Sequence, residues 1–222
     1  MTAIFRTNPI EVRNRLEQLG WTPDELLEVV DAMVGARNGC TDNDPASAPG
    51  WMSWKDGSRR FREIGRSKGY AKDDADQIPW VVDVENGRRF AVSNTDDGTG
   101  VKGPGPQNRS RKGPATDRAV SENQGSFFDR FDDPEFLKKV IPLSMKRGQP
   151  GIIISWYLCV YCEGDEVRAE LSCPVGADGG FFSDFMERLV LIGDGDDGPG
   201  EELRKSDDGD DGTEFDIPVS RK

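Results

Sequence analysis

Histidine is missing from all 222 residues of this chain. Its absence excludes Ser-His and Cys-His nucleophiles, His-ligated metals and the usual proton shuttle near neutral pH. Any catalysis would fall to carboxylates, Lys, Arg, Tyr or Cys. Long apolar runs are missing as well: nothing approaches the roughly 20 consecutive apolar residues of a membrane span. The stretch from Met1 to Asn8 lacks a basic-then-apolar signal pattern. Together these absences predict a cytoplasmic protein with no membrane partner. Apolar residues make up only 35% of the chain, against 26 Gly and 14 Pro. That balance predicts a modest core with long loops. No motif for a cofactor is present, and none is expected.

Cysteine is scarce, with Cys40, Cys159, Cys162 and Cys173 the only four. Cys159-Val160-Tyr161-Cys162 spells a C-x-x-C, the spacing of zinc ligands or of a redox pair. The strand period argues against both uses. Positions 159 and 162 differ by an odd number, so on a strand their side chains leave opposite faces, whereas zinc ligands converge at about 2.3 Å from one ion. A redox C-x-x-C sits at a helix N-terminus, which lowers the thiolate pKa. The expectation is therefore structural, buried thiols at Cys162 and Cys173, and no metal site. Asp194-Gly195-Asp196-Asp197-Gly198 has a calcium-loop look but places Gly198 where a ligand belongs and misplaces the terminal Glu.

What the chain has in quantity is segregated charge. Residues 151–222 hold 6 basic and 18 acidic groups, the whole of the formal net charge of −12. Most of the acid lies in one Gly/Asp run from Gly193 to Asp216, whose loop portion is 193–213. That loop leads to Glu214-Phe215-Asp216-Ile217-Pro218-Val219, which resembles the acidic tip of bacterial single-stranded-DNA-binding proteins, an element that docks partner proteins. The match is confined to these last residues, and the chain departs from it by ending on Ser220-Arg221-Lys222. Phe215, Ile217 and Val219 also alternate, which predicts a terminal edge strand within 214–222 and an acidic loop tethered at both ends.

The first 192 residues are expected to form one compact domain. A helical hairpin is predicted over 8–35. Asn8 caps and Pro9 leads the first helix, Gly20 stops it, and Thr22, Pro23 and Glu25 repeat the signals for a second helix ending near Gly35. The geometry suits a helix-turn-helix, but Asp24, Glu25, Glu28 and Asp31 oppose a phosphate field, so two core helices are expected. A basic helix follows over 51–68, with Trp51, Trp54, Phe61 and Ile64 as its apolar side. A hairpin over 78–94 is predicted to turn at Asn86-Gly87, with Glu85 facing Arg88.

Residues 95–114 read as a loop ending in Arg109-Ser110-Arg111-Lys112, followed by a short helix after Thr116 and another from Asp133. A second hairpin over 152–173 turns at Gly164-Asp165 and pairs Cys162 with Val167, Val160 with Ala169 and Leu158 with Leu171. One of its faces is apolar; the other carries Tyr157, Cys159, Tyr161, Arg168, Glu170 and Ser172. Residues 181–192 are predicted as an amphipathic helix packing Phe185, Met186, Leu189 and Ile192 on the sheet. The fold class is thus α+β: an antiparallel sheet of two hairpins, a C-terminal amphipathic helix on it, and a helical N-terminal third.

Three functional expectations follow. The first is an intracellular, bacterial-type accessory protein that binds an anionic partner such as nucleic acid. Arg59, Arg60, Arg62, Arg66, Arg109, Arg111 and Lys112 would meet phosphates, Trp51, Trp54 or Trp80 would stack on bases, and the acidic run would compete for the cations. The second is a carboxylate-metal nuclease or phosphoesterase using Asp83, Glu85 and Glu170. The third is an interaction or inhibitor module whose acidic run mimics nucleic acid and takes a basic protein partner.

Overall fold

The computed structural model describes residues 3–74, 77–111, 113–128 and 153–195. The expected helix from Asp133, the acidic run beyond Gly195, the strand within 214–222 and Lys112 lie outside the described residues. In chain order the elements are β1 (Ile4–Arg6), α1 (Pro9–Gln18), α2 (Pro23–Asn38), α3 (Ala48–Ser67), β2 (Ala71–Asp73), β3 (Trp80–Asp83), β4 (Arg88–Asn94), α4 (Pro114–Phe128), β5 (Ile154–Glu163), β6 (Glu166–Asp178) and β7 (Phe181–Ile192). The chain is α+β, as expected. Its seven strands form one sheet in the order β1-β7-β6-β5-β4-β3-β2.

The helix-start chemistry works as the residues dictate. The Asn8 side chain accepts from the Ile10 and Glu11 amides. Thr22 and Glu25 close a capping box, with Thr22 N donating to Glu25 Oε2 at 2.8 Å and Glu25 N to Thr22 Oγ1 at 3.2 Å. Between them Gly20 takes φ +80°, and Tyr70 Oη donates to its carbonyl at 3.1 Å. The second helix runs past Gly35 to Asn38; one glycine inside an otherwise sound helix is tolerated.

Two features of the sheet correct the expected architecture. The sheet is mixed, because β4 runs parallel to β5 and β1 parallel to β7. The two hairpins are therefore joined by a crossover carrying α4, not by an antiparallel pair. Residues 181–192 form β7, not a helix, and pair antiparallel with β6. The helical look comes from irregular pairing. Ala177 pairs with Phe182 while Gly176 pairs with Asp184, so β7 bulges, and Phe182 and Phe185, three residues apart, join one core. The sheet is packed by the N-terminal helices instead. Val12, Leu16, Leu26, Val30, Met33, Phe61 and Ile64 meet Phe90, Val92, Leu158, Val160, Leu171 and Leu189 on what is here termed the helical face.

The hairpin registers test local chemistry more finely. In β5–β6 the pairs Cys162–Val167, Val160–Ala169 and Leu158–Leu171 are those expected, and Gly164 takes φ +59° in the two-residue turn. In β3–β4 the partner of Arg88 is Asp83, not Glu85. The loop is longer because Asp83 Oδ1 accepts from Asn86 N at 3.2 Å, and Arg88 donates to Asp83 Oδ2 at 3.0 Å. An Asx-type turn thus displaces the shorter Asn-Gly turn.

The face expected to be solvated is covered. Trp80, Tyr157, Cys159, Phe182 and Phe185 form a second core with Ala119 and Val120 of α4. Asn123 clamps α4 onto it: its Nδ2 donates to the carbonyls of Ser155 and Pro174, both at 2.8 Å, and its Oδ1 accepts from Ser155 N at 2.7 Å. Pro174, which has no N–H to give, sits at a register shift in β6, and Asn123 takes up its carbonyl there. The rest of that face lies under the loop 95–111.

Candidate functional site

The basic helix is the first candidate. Its inward side is set by Ser53, Gly57, Phe61, Ile64 and Gly65, all buried. Gly57 and Gly65 let the backbone come close: a Cβ at Gly57 would stand 2.3 Å from Met33 Cγ, and one at Gly65 would stand 2.4 Å from Val81 Cγ1. With that side fixed, helical geometry places Trp51, Lys55, Arg59, Arg62 and Arg66, spaced by four, four, three and four residues, along one outer flank. Trp51 is 57% exposed. Sequence spacing had put it with Trp54 in the core. Trp54 does pack partly against the core, while Trp51 stands one turn before the first ridge cation and faces water.

Arg60 does not belong to this ridge. It lies on the other flank, bonded to Glu28 of α2 and to Glu63 at 3.1 Å. Lys68 is likewise taken by Glu25, at 2.5 Å. The acidic residues of α2 thus neutralise the inner flank of α3. On the outer flank Lys55 contacts Asp56 at 3.1 Å, Arg59 contacts Asp56 at 3.6 Å and Glu63 at 3.8 Å, and Arg62 contacts Asp74 at 2.7 Å. The Arg62 hydrogen bond holds the Asp74 carboxyl below its usual range. Arg66 is exposed. Asp56 is largely buried and Arg62 also donates to the Asp73 carbonyl at 2.7 Å, whereas Glu63 and Asp74 are exposed, and pairs with such solvated carboxylates contribute little.

The remaining cations lie elsewhere. Arg109 packs on the opposite side of the sheet, 5.3 Å from the Tyr161 ring centroid, and donates to Thr95 O at 3.1 Å and Glu163 Oε2 at 3.0 Å. Arg111 is exposed beyond it. Arg109, Tyr161, Glu163, Asp96 and Asp97 line an open cleft of about 230 Å³. Arg168 lies 4.5 Å from the same ring and donates to Asp97 O at 2.7 Å. Carboxylates outnumber free cations in this cleft, so it does not extend the α3 ridge as an anion site.

The candidate carboxylates are not brought together. Asp83 is buried on the helical face against Arg88, Glu85 is exposed in the turn, and Glu170 is buried on the opposite face. With β4 and β5 between them, β3 and β6 stand about 14 Å apart at ordinary strand spacing. Asp83 and Glu170 therefore cannot share a metal pair. Glu170 is instead held by Arg188, through Nε at 2.8 Å and Nη2 at 2.7 Å, by Gly100 N at 2.7 Å and by the Ser172 hydroxyl. Arg188 goes on to donate to the carbonyls of Gly98, Val101 and Gly103. The pair fastens the glycine-rich loop onto the sheet. Sequence reasoning missed Arg188, because residues 181–192 read as a helix.

Cys159 and Cys162 belong to opposite faces, Cys159 in the second core and Cys162 in register with Val167 on the helical side. Among the described residues no group of three or more His, Cys, Asp or Glu is placed to hold a metal ion, and no helix is long and apolar enough to cross a membrane. Comparison with protein-family models, with curated proteins and with solved structures finds no match.

Proposed function

We propose that this chain is a non-catalytic accessory protein that binds an anionic polymer, nucleic acid, along the outer flank of α3. One observation carries the reading: Lys55, Arg59, Arg62 and Arg66 follow one another on a single helix flank, with the exposed Trp51 at its head. Arg59 and Arg66 are exposed, and the exposed carboxylates Glu63 and Asp74 are partners that a phosphate row can displace. The carboxylate-metal alternative has no such support, since Asp83 and Glu170 each serve a buried arginine. The acidic run over 193–213 enters as a tethered competitor for the same cations.

Fluorescence anisotropy with labelled oligonucleotides tests this. The full chain should bind at low salt, and four phosphate contacts give a slope of about −3 in log K against log salt for a single strand. Arg59→Gln with Arg66→Gln should make the slope shallower by about 1.4. Deleting 193–213 should tighten binding. No binding by either the full or the deleted chain overturns the proposal, and a co-purifying basic protein in its place supports the inhibitor reading.

A further inference from the structure

We infer that the α3 ridge selects single-stranded over double-stranded nucleic acid, with Trp51 as the surface on which an unpaired base stacks. The inference rests on the polyanion-binding reading and adds its ligand class. Its starting point is an anomaly of burial. Trp21, Trp80 and Trp156 are all at most 2% exposed and Trp54 is packed on the core, yet Trp51 is 57% exposed. A large indole is usually the anchor of a core or an interface.

The backbone that carries the exposed ring is anchored. Trp51 sits in the first turn of α3, where its amide donates to Ser47 O at 3.1 Å. On either side of it the helix is bolted to the end of β4: Asn94 Nδ2 donates to Gly50 O at 2.7 Å, and Ser53 Oγ donates to Asn94 Oδ1 at 3.1 Å. The backbone under the indole is therefore fixed before any ligand arrives, which lowers the ordering cost of binding. Lys55 is one turn along the same flank, about 5–6 Å away between Cβ atoms. An aromatic plane followed by a row of cations matches a strand whose base stacks while its phosphates run past the helix.

The arrangement disfavours a duplex for two reasons. Paired bases already stack on one another, so an indole at the side of a helix cannot reach a base face without opening the pair. A helix lying in the major groove also meets phosphates on both flanks. Here the cation of the second flank, Arg60, is already taken by Glu28 of α2 and by Glu63, so that flank has no free cation among the described residues to offer the second strand.

The experiment uses the full chain with a pyrimidine single strand, a duplex of equal length, and heparin as a polyanion without bases. Trp51→Ala and Trp51→Phe are compared with the parent. The expected result is preferential binding of the single strand, quenching of tryptophan fluorescence that Trp51→Ala removes, and a roughly tenfold or greater loss of single-strand affinity in Trp51→Ala. The salt slope and heparin affinity of Trp51→Ala should stay at parent values, and Trp51→Phe should restore most of the affinity. Equal loss toward heparin, or unchanged single-strand affinity in Trp51→Ala, overturns the stacking role while leaving polyanion binding in place. Absence of binding to all three ligands removes both.

Discussion

Arg188 and Glu170 meet through two hydrogen bonds of 2.8 and 2.7 Å inside the sheet, with side chains 1% and 0% exposed. Neither ion has water to fall back on, and each is satisfied further by backbone groups of the loop 98–103. Removing one partner leaves the other charged and buried, which costs about 3–5 kcal/mol. Arg188→Met should therefore lower the urea midpoint steeply and open the loop 95–105 to proteolysis. Glu170→Leu combined with Arg188→Met should lose less than the two single changes summed, by at least about 1 kcal/mol in a double-mutant cycle. Strict additivity would mean that the pair does not hold the loop.

Two helix glycines should respond in opposite directions to alanine. At Gly35 an added Cβ meets nothing within 4 Å. Gly35→Ala should stabilise by about 0.5–1 kcal/mol through helix propensity. At Gly65 the Cβ would stand 2.4 Å from Val81 Cγ1 and 3.7 Å from Trp21. Gly65→Ala should destabilise by about 1–3 kcal/mol, because overpacking exceeds the propensity gain. Chemical denaturation of the two variants decides it, and a stabilised Gly65→Ala would show that α3 is free to move off the sheet.

Alkaline pH should weaken the fold. Burial raises the Tyr157 phenol and the Cys173 thiol well above their ordinary values, and the charge of Glu187 raises the thiol further. A folded pKa above the unfolded one means that the native chain keeps protons the unfolded chain has released. The resulting stability is complete below the unfolded values, about 8.5 for Cys and 10 for Tyr, and is lost as pH rises beyond them toward the folded values. Thermal unfolding at stepped pH should show a plateau that ends near pH 8.5. Tyr157→Phe should flatten the fall above about pH 10; an unchanged slope would assign the loss to other groups.

Thiol labelling should separate the four cysteines. Cys40 is half-buried at the end of α2, while Cys159, Cys162 and Cys173 are buried. A thiol reagent should modify Cys40 first, Cys162 slowly, and Cys159 and Cys173 only with denaturant, as mass analysis of the labelled peptides can establish. Mild oxidation should not join Cys159 to Cys162, whose side chains leave opposite faces of β5. A recovered 159–162 disulfide in folded protein would contradict the strand register.

What the sequence by itself determined is what neighbouring residues decide. Asn8, Thr22 and Glu25 are caps wherever the helices end up. Gly164-Asp165 sets a two-residue turn, and that turn fixes every pair from Glu163–Glu166 to Tyr157–Ser172. The same parity places Cys159 and Cys162 on opposite faces. Composition likewise made α3 cationic.

Only the tertiary structure decided what lies outside that reach. Whether Glu170 is a solvated strand carboxylate or a buried one depends on a loop 70 residues earlier, whose Gly100 amide bonds to it. Bulges gave β7 the apolar spacing of a helix, and no local rule distinguishes the two. Sorting α3 into an inner flank paired with α2 and an outer flank whose cations pair with Asp56, Glu63 and Asp74 required α2 to bring Glu25 and Glu28 alongside. The spacing of Trp51 matched that of a core residue, and it was the fixed seat of α3 on Met33, Val81 and Asn94 that turned the indole outward. Local patterns specify periods and turns, whereas burial is a property of what packs on top, and the candidate site follows from burial.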